Sequence, residues 1–174
     1  MGADAEPSER QGDALASHRR EDSRRRSGEP SGRGLRISTD PAELDLDWIH
    51  PALSERAYWA LGRTREQVER SIANSLCFGA YSGDRQVGFA RVVTDYATFG
   101  WICDVFVDET ERGRGIGGRL IEAVVADPRL HGLRRLVLAT RDAHELYERH
   151  GGFEPLVHPD RWMQHSADSE RGDR

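Results

Sequence analysis

Apolar residues change their spacing along the chain, and this spacing predicts where strands give way to helices. Three apolar or alternating segments follow one another with short polar turns between them, a pattern typical of an antiparallel meander. They are residues 77–81, 86–94 and 99–107, and a further short strand begins at Ile37. Alternation predicts that the middle strand of the meander directs four side chains to one face: Val87, Phe89, Arg91 and Val93.

Apolar residues at helical spacing predict four helices. They cover residues 41–60, 65–75, 115–126 and 142–150. Pro51 lacks a backbone N–H, so it must begin a new helix or kink the first one. Thr64 and Gln67 form a capping box at the start of the second helix, and Gly151 and Gly152 end the fourth.

The second half of the chain predicts strands that alternate with helices. A strand at 135–140 lies between the last two helices, and a closing hairpin is predicted from 153–157 and 161–164 around Pro159. A helix between two strands of one sheet makes those strands parallel. The chain is therefore predicted to have an α/β fold, in which an antiparallel meander followed by β-α-β-α-β forms one mixed sheet with helices on both faces.

Composition separates one domain from two tails. Residues 1–34 hold seven Arg, seven Asp or Glu and, besides Met1, Leu15 as their only large aliphatic side chain. Such a segment cannot bury enough apolar surface to offset the entropy of an ordered chain. We predict a disordered charged tail over 1–34, a folded domain over 35–165 and a disordered polar tail over 166–174.

Charge and residue usage exclude several classes of function. The charges of 1–34 cancel, so the net charge of −5 belongs to 35–174 and argues against nucleic-acid binding. All 25 basic residues are Arg, which excludes Schiff-base chemistry and a P-loop lysine. No H-E-x-x-H or C-x-x-C motif occurs, so no metal is expected. Because the chain has neither an apolar leader nor a run of 18 apolar residues, we predict no membrane partner and a cytoplasmic location.

A glycine-rich turn stands between the last strand of the meander and the third helix. It contains Arg112, Gly113, Arg114, Gly115, Ile116, Gly117 and Gly118. Glycines let the backbone turn sharply and approach a ligand, and the first N–H groups of a helix lack partners within it. With the helix dipole and the arginines, the turn predicts a phosphate site. The spacing of its glycines differs from that of a dinucleotide-binding fingerprint.

Two motifs together resemble the GNAT family of acetyl-CoA-dependent N-acetyltransferases. They are the R-G-x-G-x-G turn over 112–117 and the A-x-x-L-Y run over 143–147, and the resemblance covers about residues 35–165. It implies a GNAT-like fold and acetyl-CoA as cosubstrate. The cofactor-binding residues that it implies are Val105, Phe106, Val107, Arg112, Gly113, Arg114, Gly115, Ile116, Gly117, Gly118, Thr140 and Ala143.

The resemblance divides the binding of the cosubstrate between two segments. The N–H groups of 114–118 and the Arg112 side chain would hold the pyrophosphate, and the backbone of Val105 and Val107 would pair with the pantetheine arm. Two parallel strands that separate after Val107 would leave backbone groups unpaired, which is unfavourable unless another amide-bearing group lies between them. The arm would then behave as an added strand.

The chain departs from the family pattern at two positions. Thr140 stands where many relatives have Asn, so one side-chain contact to coenzyme A would be shortened or absent. Gly152 is an extra residue after Gly151, which shifts Phe153 by one and would bulge the next strand.

Two side chains are predicted to carry the chemistry. Counterparts of Tyr147 in the family protonate the departing thiolate; the alternative is an aromatic ring that packs its helix onto the sheet. Asp104 is the carboxylate best placed to take the amine proton, directly or through water, because alternation puts it on the opposite face from Cys103 and Val105. The alternative for Asp104 is a structural hydrogen-bond network.

Aromatic residues concentrate in the first helices and near the end of the meander, where the acceptor pocket is expected. The candidate substrate contacts are Trp48, Tyr58, Trp59, Tyr96 and Trp101. Such side chains can stack on a flat substrate or surround a cation, and they can equally serve packing.

The sequence therefore predicts transfer of the acetyl group of acetyl-CoA to a primary amine of a small molecule by direct attack. Three alternatives stay open: a protein or peptide acceptor, which needs an open groove, a non-catalytic module that senses acyl-CoA, and a dinucleotide-dependent enzyme. The resemblance is also compatible with a homodimer.

Overall fold

The computed structural model describes residues 34–165, so the predicted tails lie outside it except for Gly34. These residues form a five-stranded sheet of order β1-β2-β3-β4-β5. The strands are β1 Leu35–Ser38, β2 Leu76–Ser82, β3 Arg85–Thr94, β4 Phe99–Val107 and β5 Arg135–Leu138. Strands β1 to β4 pair antiparallel and β4 pairs parallel with β5, which confirms the meander and the mixed α/β sheet.

Four α-helices accompany the sheet in the described residues. They are α1 Leu46–Pro51, α2 Arg65–Ala73, α3 Ile116–Ala126 and α4 His144–Gly151. The predicted capping box begins α2, since the Thr64 hydroxyl accepts from the Gln67 N–H at 3.2 Å and the Gln67 side chain accepts from the Thr64 N–H at 2.9 Å. The helix predicted over 41–60 is broken at Pro51, which lacks an N–H to continue α1, and a π-helix Ala52–Arg56 follows.

Helices cover both faces of the sheet, as predicted. Helix α3 buries Ile116, Leu120 and Val124 against one face. The sheet side chains that meet α3 include Phe78, Ala80, Ala90, Val92 and Ile102. On the other face, α1, the π-helix and α2 pack Ile49, Leu53 and Val68 against Cys77, Phe89 and Phe106. The core is therefore two apolar layers with the sheet between them.

An irregularity in the pairing of β2 with β3 changes which side chains of β3 share a face. The pairing of β2 with β3 shifts between Ala80 and Tyr81, so Val87 packs in the α3 layer and Phe89 in the opposite one. The prediction that Val87 and Phe89 share a face is therefore wrong, because a bulge interrupts the alternation.

The hairpin predicted over 153–157 and 161–164 does not form, so the described sheet ends at β5. Residues 153–165 contain only a 3₁₀ turn, Pro159–Arg161. Val157 and Met163 are exposed there, so the strand-like pattern of this segment has no covered face to stabilise it. The last strand of the predicted order is absent, whereas the strand–helix–strand–helix part is confirmed.

Candidate active site

The sheet opens at the carboxyl end of β4. Parallel pairing with β5 ends at Ile102 and Leu138, while β4 continues to Val107. The Asp108 N–H donates to the Val87 carbonyl at 2.9 Å, toward β3. Because successive residues of a strand direct their backbone groups to opposite edges, Val107 and Val105 direct theirs to the open edge. The two parallel strands therefore do separate, but after Ile102 and not after Val107 as predicted, because β5 ends at Leu138.

The glycine-rich loop meets this open edge at the start of α3. Gly113 and Gly115 have φ angles of +77° and +75°, a left-handed conformation that glycine adopts without strain. Gly115 caps α3, and no side chain caps the helix. Within residues 34–165, the N–H groups of 113–118 have no hydrogen-bond acceptor. The loop therefore presents a row of free donors at the positive end of a helix dipole.

Arginines surround the loop, and one buried carboxylate holds it in place. Glu111 is buried and binds both Arg85 and Arg114, the latter at 2.5 Å. Arg112 donates from Nε to the Val107 carbonyl at 3.4 Å, so its guanidinium lies over the open edge of β4. Glu111 was not predicted from the sequence, where its only signal is an acid next to an arginine-rich turn.

A cavity of about 160 Å³ adjoins the loop. Its lining residues are Leu35, Ser82, Glu111, Arg114, Ile116 and Arg119. Two arginines thus face a small recess beside the free N–H groups. An anion at this place would meet positive charge from both side chains and backbone.

Close packing fixes α4 beside the loop. A Cβ atom on Gly118 would lie 2.5 Å from the His150 ring, so the ring keeps this position only because the residue is glycine. The His150 ring is itself held by Glu122 at 2.7 Å. This contact brings Tyr147, one turn before His150 on α4, into the neighbourhood of the glycine-rich loop.

Tyr147 packs its helix onto the rest of the domain, as one of its two predicted roles requires. Its side chain packs edge-on against Phe153 with ring centroids 6.0 Å apart, and the residue is only 9% exposed. Burial raises the pKa of its phenol to about 12, and the ionisable groups of Tyr58 and Cys103 add smaller effects. The hydroxyl has no hydrogen-bond partner among residues 34–165, so a ligand can receive its proton.

Asp104 lies where β4 bulges, and alternation fails there. Its φ angle is +53°, and the pairing of β4 with β3 shifts between Phe89 and Arg91. Because of the extra residue, Asp104 lies on the same face as Phe106 instead of the face of Ile102. The alternation assumed for this part of β4 is therefore incorrect.

The Asp104 carboxylate is sealed by two guanidinium groups. Its Oδ2 atom accepts from Arg63 at 2.8 Å and from Arg91 at 2.8 and 2.9 Å, and the side chain is 1% exposed. Arg91 also donates to the Ser75 hydroxyl at 2.9 Å. This geometry favours the hydrogen-bond network over a free base. Arg91 could have been predicted to have a buried partner, because it is a charged residue within an apolar strand.

Thr140 and Gly152, where the chain departs from the family pattern, both shape α4. The Thr140 hydroxyl accepts from the Ala143 N–H at 3.1 Å, just before α4 begins. Gly152 takes a left-handed conformation, and its N–H donates to the Glu148 carbonyl at 3.1 Å. The extra glycine is thus the cap that ends α4.

The predicted aromatic contacts fall into two groups. Tyr58 packs edge-on with Trp59 at 4.9 Å on the segment 57–64, close enough to Tyr147 to affect its pKa. Trp48 packs against Phe106 at 6.1 Å, and Trp101 lies two residues before Cys103 on β4. Tyr96 is in the turn between β3 and β4, at the opposite end of β4 from the glycine-rich loop. Trp101 pairs with Val93 near the start of β4, so it lies with Tyr96 toward the end of the strand that is remote from the glycine-rich loop.

Neither a metal-binding cluster nor a membrane-spanning helix occurs within residues 34–165. No group of three His, Cys, Asp or Glu side chains there is arranged to hold a metal ion. None of the helices in this region has the length and apolarity needed to cross a bilayer.

Comparison with known proteins gives a consistent result. Residues 43–153 match the sequence profile described as "Acetyltransferase (GNAT) family". A protein of Gibberella zeae provisionally named an acetyltransferase is 31% identical over 139 residues, which cover 67% of this chain and 77% of that protein. The crystal structure of a protein provisionally assigned to GNAT acetyltransferases, from Xanthomonas campestris pv. campestris, is 47% identical, with a TM-score of 0.74 over 76% of this chain and 93% of that one. A GNAT family acetyltransferase from Streptococcus pneumoniae, 24% identical, shares the fold with a TM-score of 0.58 over 79% of this chain and 98% of that one.

Proposed function

The chain belongs to the GNAT family of acetyltransferases, and on that premise we propose that it transfers the acetyl group of acetyl-CoA to the primary amine of a small molecule by direct attack. One observation carries the proposal: the free N–H groups of 113–118 adjoin the open backbone edge of β4. A diphosphate would accept hydrogen bonds from the free N–H groups of the loop. An arm that carries amides would pair with the N–H and C=O groups of the β4 edge. We expect the enzyme to act in the cytoplasm.

The residues present fit acetyl-CoA in two ways. The N–H groups of the glycine-rich loop, with Arg112, would hold the diphosphate, because they combine free donors with positive charge at a helix N-terminus. The backbone of Val105 and Val107 would hydrogen-bond the pantetheine amides, because these groups face the open edge of β4. Ala143 and Thr140 would border the site from the start of α4.

Bound acetyl-CoA supplies an acyl group on a good leaving group, so the protein need only position the amine and manage two protons. The amine nitrogen bonds to the acyl carbon, the carbon–sulfur bond breaks, and the amine proton leaves to water. Tyr147 donates to the departing sulfur and regains its proton from solvent, because its raised pKa keeps the phenol protonated. We assign Asp104 a positioning role, because Arg63 and Arg91 occupy its Oδ2 atom.

A small acceptor is favoured over a peptide by the surroundings of Tyr147. Tyr58 lies close enough to Tyr147 to affect its pKa, Trp59 packs on Tyr58, and Arg141 from the β5–α4 connection lies 3.9 Å from the centre of the Tyr58 ring. A peptide would need an extended groove at this place. The aromatic wall instead suits a compact molecule.

The cosubstrate is tested by thermal stabilisation with acetyl-CoA, CoA and NAD at equal concentrations. Acetyl-CoA and CoA should raise the melting temperature and NAD should not, since a ligand that binds only the folded state stabilises it. Gly115→Ala should weaken this effect, because alanine is strained at a φ of +75°. Stabilisation by NAD alone would instead indicate a dinucleotide-dependent enzyme.

Tyr147→Phe tests the proton donor, with CoA release measured against a panel of amines. We expect kcat to fall about 100-fold, the scale of general-acid catalysis, while the affinity for acetyl-CoA changes little. Tyr81→Phe is the matched control, because its hydroxyl is buried and bonded to the Glu43 carbonyl. An unchanged kcat would remove Tyr147 from the mechanism. Acetyl-CoA binding without acetylation of any amine would favour the sensing module.

A further inference from the structure

The segment 57–64 connects the buried Asp104 with Tyr58, one of the aromatic residues proposed to border the acceptor. At its far end, Arg63 donates to Asp104 at 2.8 Å. Near its start, the Tyr58 ring carries the Arg141 guanidinium at 3.9 Å from its centroid. The same short segment therefore orients two arginines, and neither arginine belongs to the glycine-rich loop.

The first of these arginines contributes uncompensated positive charge. One carboxylate, Asp104, faces two guanidinium groups, and no other carboxylate of residues 34–165 lies within salt-bridge distance of Arg63 or Arg91. Arg91 is largely buried, and it also donates to the Ser75 hydroxyl. Arg63 is 27% exposed and uses a single N–H on Asp104, so most of its donors have no acceptor in this part of the chain. The positive charge that Asp104 does not neutralise is therefore accessible to a ligand at Arg63.

The second arginine, Arg141, lies on the Tyr58 ring. The Arg141 guanidinium stacks on the ring, an arrangement that orients it while leaving its N–H edge free. Its nearest carboxylate is the exposed Asp142, at 3.8 Å, a distance too long for a hydrogen bond.

Tyr58 and Cys103 both lie close enough to Tyr147 to affect its pKa. Arg63 lies close enough to Cys103 to oppose the rise in the pKa of its thiol that burial causes. Both arginines therefore lie in the surroundings of Tyr147 and have N–H groups without an acceptor in the described part of the chain.

We propose that the amine acceptor carries an anionic group, a carboxylate or a phosphate, that Arg63 and Arg141 bind. The inference rests on the proposed acetyltransferase function and names the class of its second substrate. Guanidinium groups match carboxylate and phosphate oxygens with two parallel hydrogen bonds. An amine with a second positive charge, such as a polyamine, would be repelled by the same residues.

The experiment uses pairs of amines that differ only in the anionic group. β-Alanine is compared with β-alaninamide, and phosphoethanolamine with ethanolamine, at a pH where each amine's neutral fraction is taken into account. We expect kcat/KM to be about 10- to 100-fold higher for the charged member of at least one pair, the range for a hydrogen bond to a charged group. The two pairs distinguish a carboxylate from a phosphate.

Arg141→Gln is the informative variant because it breaks no buried ion pair. It should cut the ratio of kcat/KM between the charged and the neutral member about tenfold. Arg63→Gln should act in the same direction, although it also uncovers Asp104. Arg134→Gln, an exposed arginine just before β5, removes the same charge elsewhere and should change nothing. A preference of less than threefold in both pairs, or one that Arg141→Gln leaves intact, would overturn the proposal.

Binding measured by calorimetry on the CoA-saturated protein separates this proposal from the proposed function. Tighter binding of the charged members, lost in Arg141→Gln, supports the anion site even if no amine is acetylated. Equal binding of charged and neutral members overturns it even if both are acetylated. Failure of acetylation by itself counts only against the transferase.

Discussion

Asp104 was identified from the sequence as an unusual carboxylate, but the face of β4 on which it lies was predicted wrongly. A carboxylate among Ile102, Val105 and Phe106 requires a special environment, and the sequence indicated as much. Its partners could not be read from the pattern, because Arg63 lies 41 residues away on a connecting segment. Its face could not be read either, because a bulge reverses the alternation in β4.

Asp104→Asn separates a positioning role from a basic one. Asparagine tolerates the φ of +53°, so the backbone is preserved, but two guanidinium groups lose their counter-charge. We expect the free energy of unfolding to fall by about 3–5 kcal/mol, measured by urea denaturation. The pH dependence of kcat in the remaining folded enzyme should keep its shape.

The matched control is Asp47→Asn, which removes a surface ion pair with Arg65. That change should alter stability by no more than about 1 kcal/mol. If Asp104→Asn instead kept full stability while kcat collapsed and its dependence on pH flattened, Asp104 would be the base.

At the scale of elements, the junction of α3 and α4 joins the proposed phosphate loop to Tyr147. Two neighbouring glycines of α3 differ sharply in their surroundings. A Cβ on Gly118 would lie 2.5 Å from the His150 ring, whereas a Cβ on Gly117 would lie 3.5 Å from the Leu146 side chain, an ordinary contact. Sequence alone presents both as members of one glycine run.

Gly118→Ala and Gly117→Ala therefore form a matched pair. The first should displace the His150 ring, break its contact with Glu122 and lower both stability and the affinity for acetyl-CoA. The second should stabilise α3 by up to about 1 kcal/mol, because alanine favours a helix over glycine. Denaturation and acetyl-CoA titration of both variants provide the measurement. Equal effects would mean that the close approach of the helices is unimportant.

At the scale of the whole molecule, buried groups that stay protonated make the fold sensitive to alkali. Burial raises the pKa values of Cys77, Tyr81 and Tyr147 to about 12 each. In the unfolded chain the thiol titrates near 8.5 and the phenols near 10. Between these values and about 12, the unfolded state releases protons that the folded state retains. Stability is therefore complete at neutral pH and is lost as pH rises.

We expect the free energy of unfolding to decline steadily from about pH 9 to pH 11, by at most about 1.4 kcal/mol per pH unit for each group. Urea denaturation at half-unit intervals of pH measures the decline. Tyr81→Phe should make it shallower by removing one titrating group. A stability that is constant up to pH 11 would contradict the burial of these side chains.

The sequence by itself determined the strands, helix caps and turns that depend only on residues close together in the chain. Apolar alternation located the strands of the meander, the Thr64–Gln67 capping box placed the start of α2, and the glycine run marked the loop between β4 and α3. Each depends on residues within a few positions of one another. The family motifs at 112–117 and 143–147 are local in the same sense, and the family they indicate is confirmed.

Tertiary structure alone decided what depends on residues distant in the chain. The bulges at Val87 and Asp104 arise from the pairing of neighbouring strands, and the absence of a hairpin over 153–164 reflects the lack of a covering layer. The grouping of Arg63 with Asp104 and of Arg141 with Tyr58 also exists only in the folded chain. Strand register and long-range ion pairs are set by the packing of whole elements, so the periodicity of one segment does not contain them.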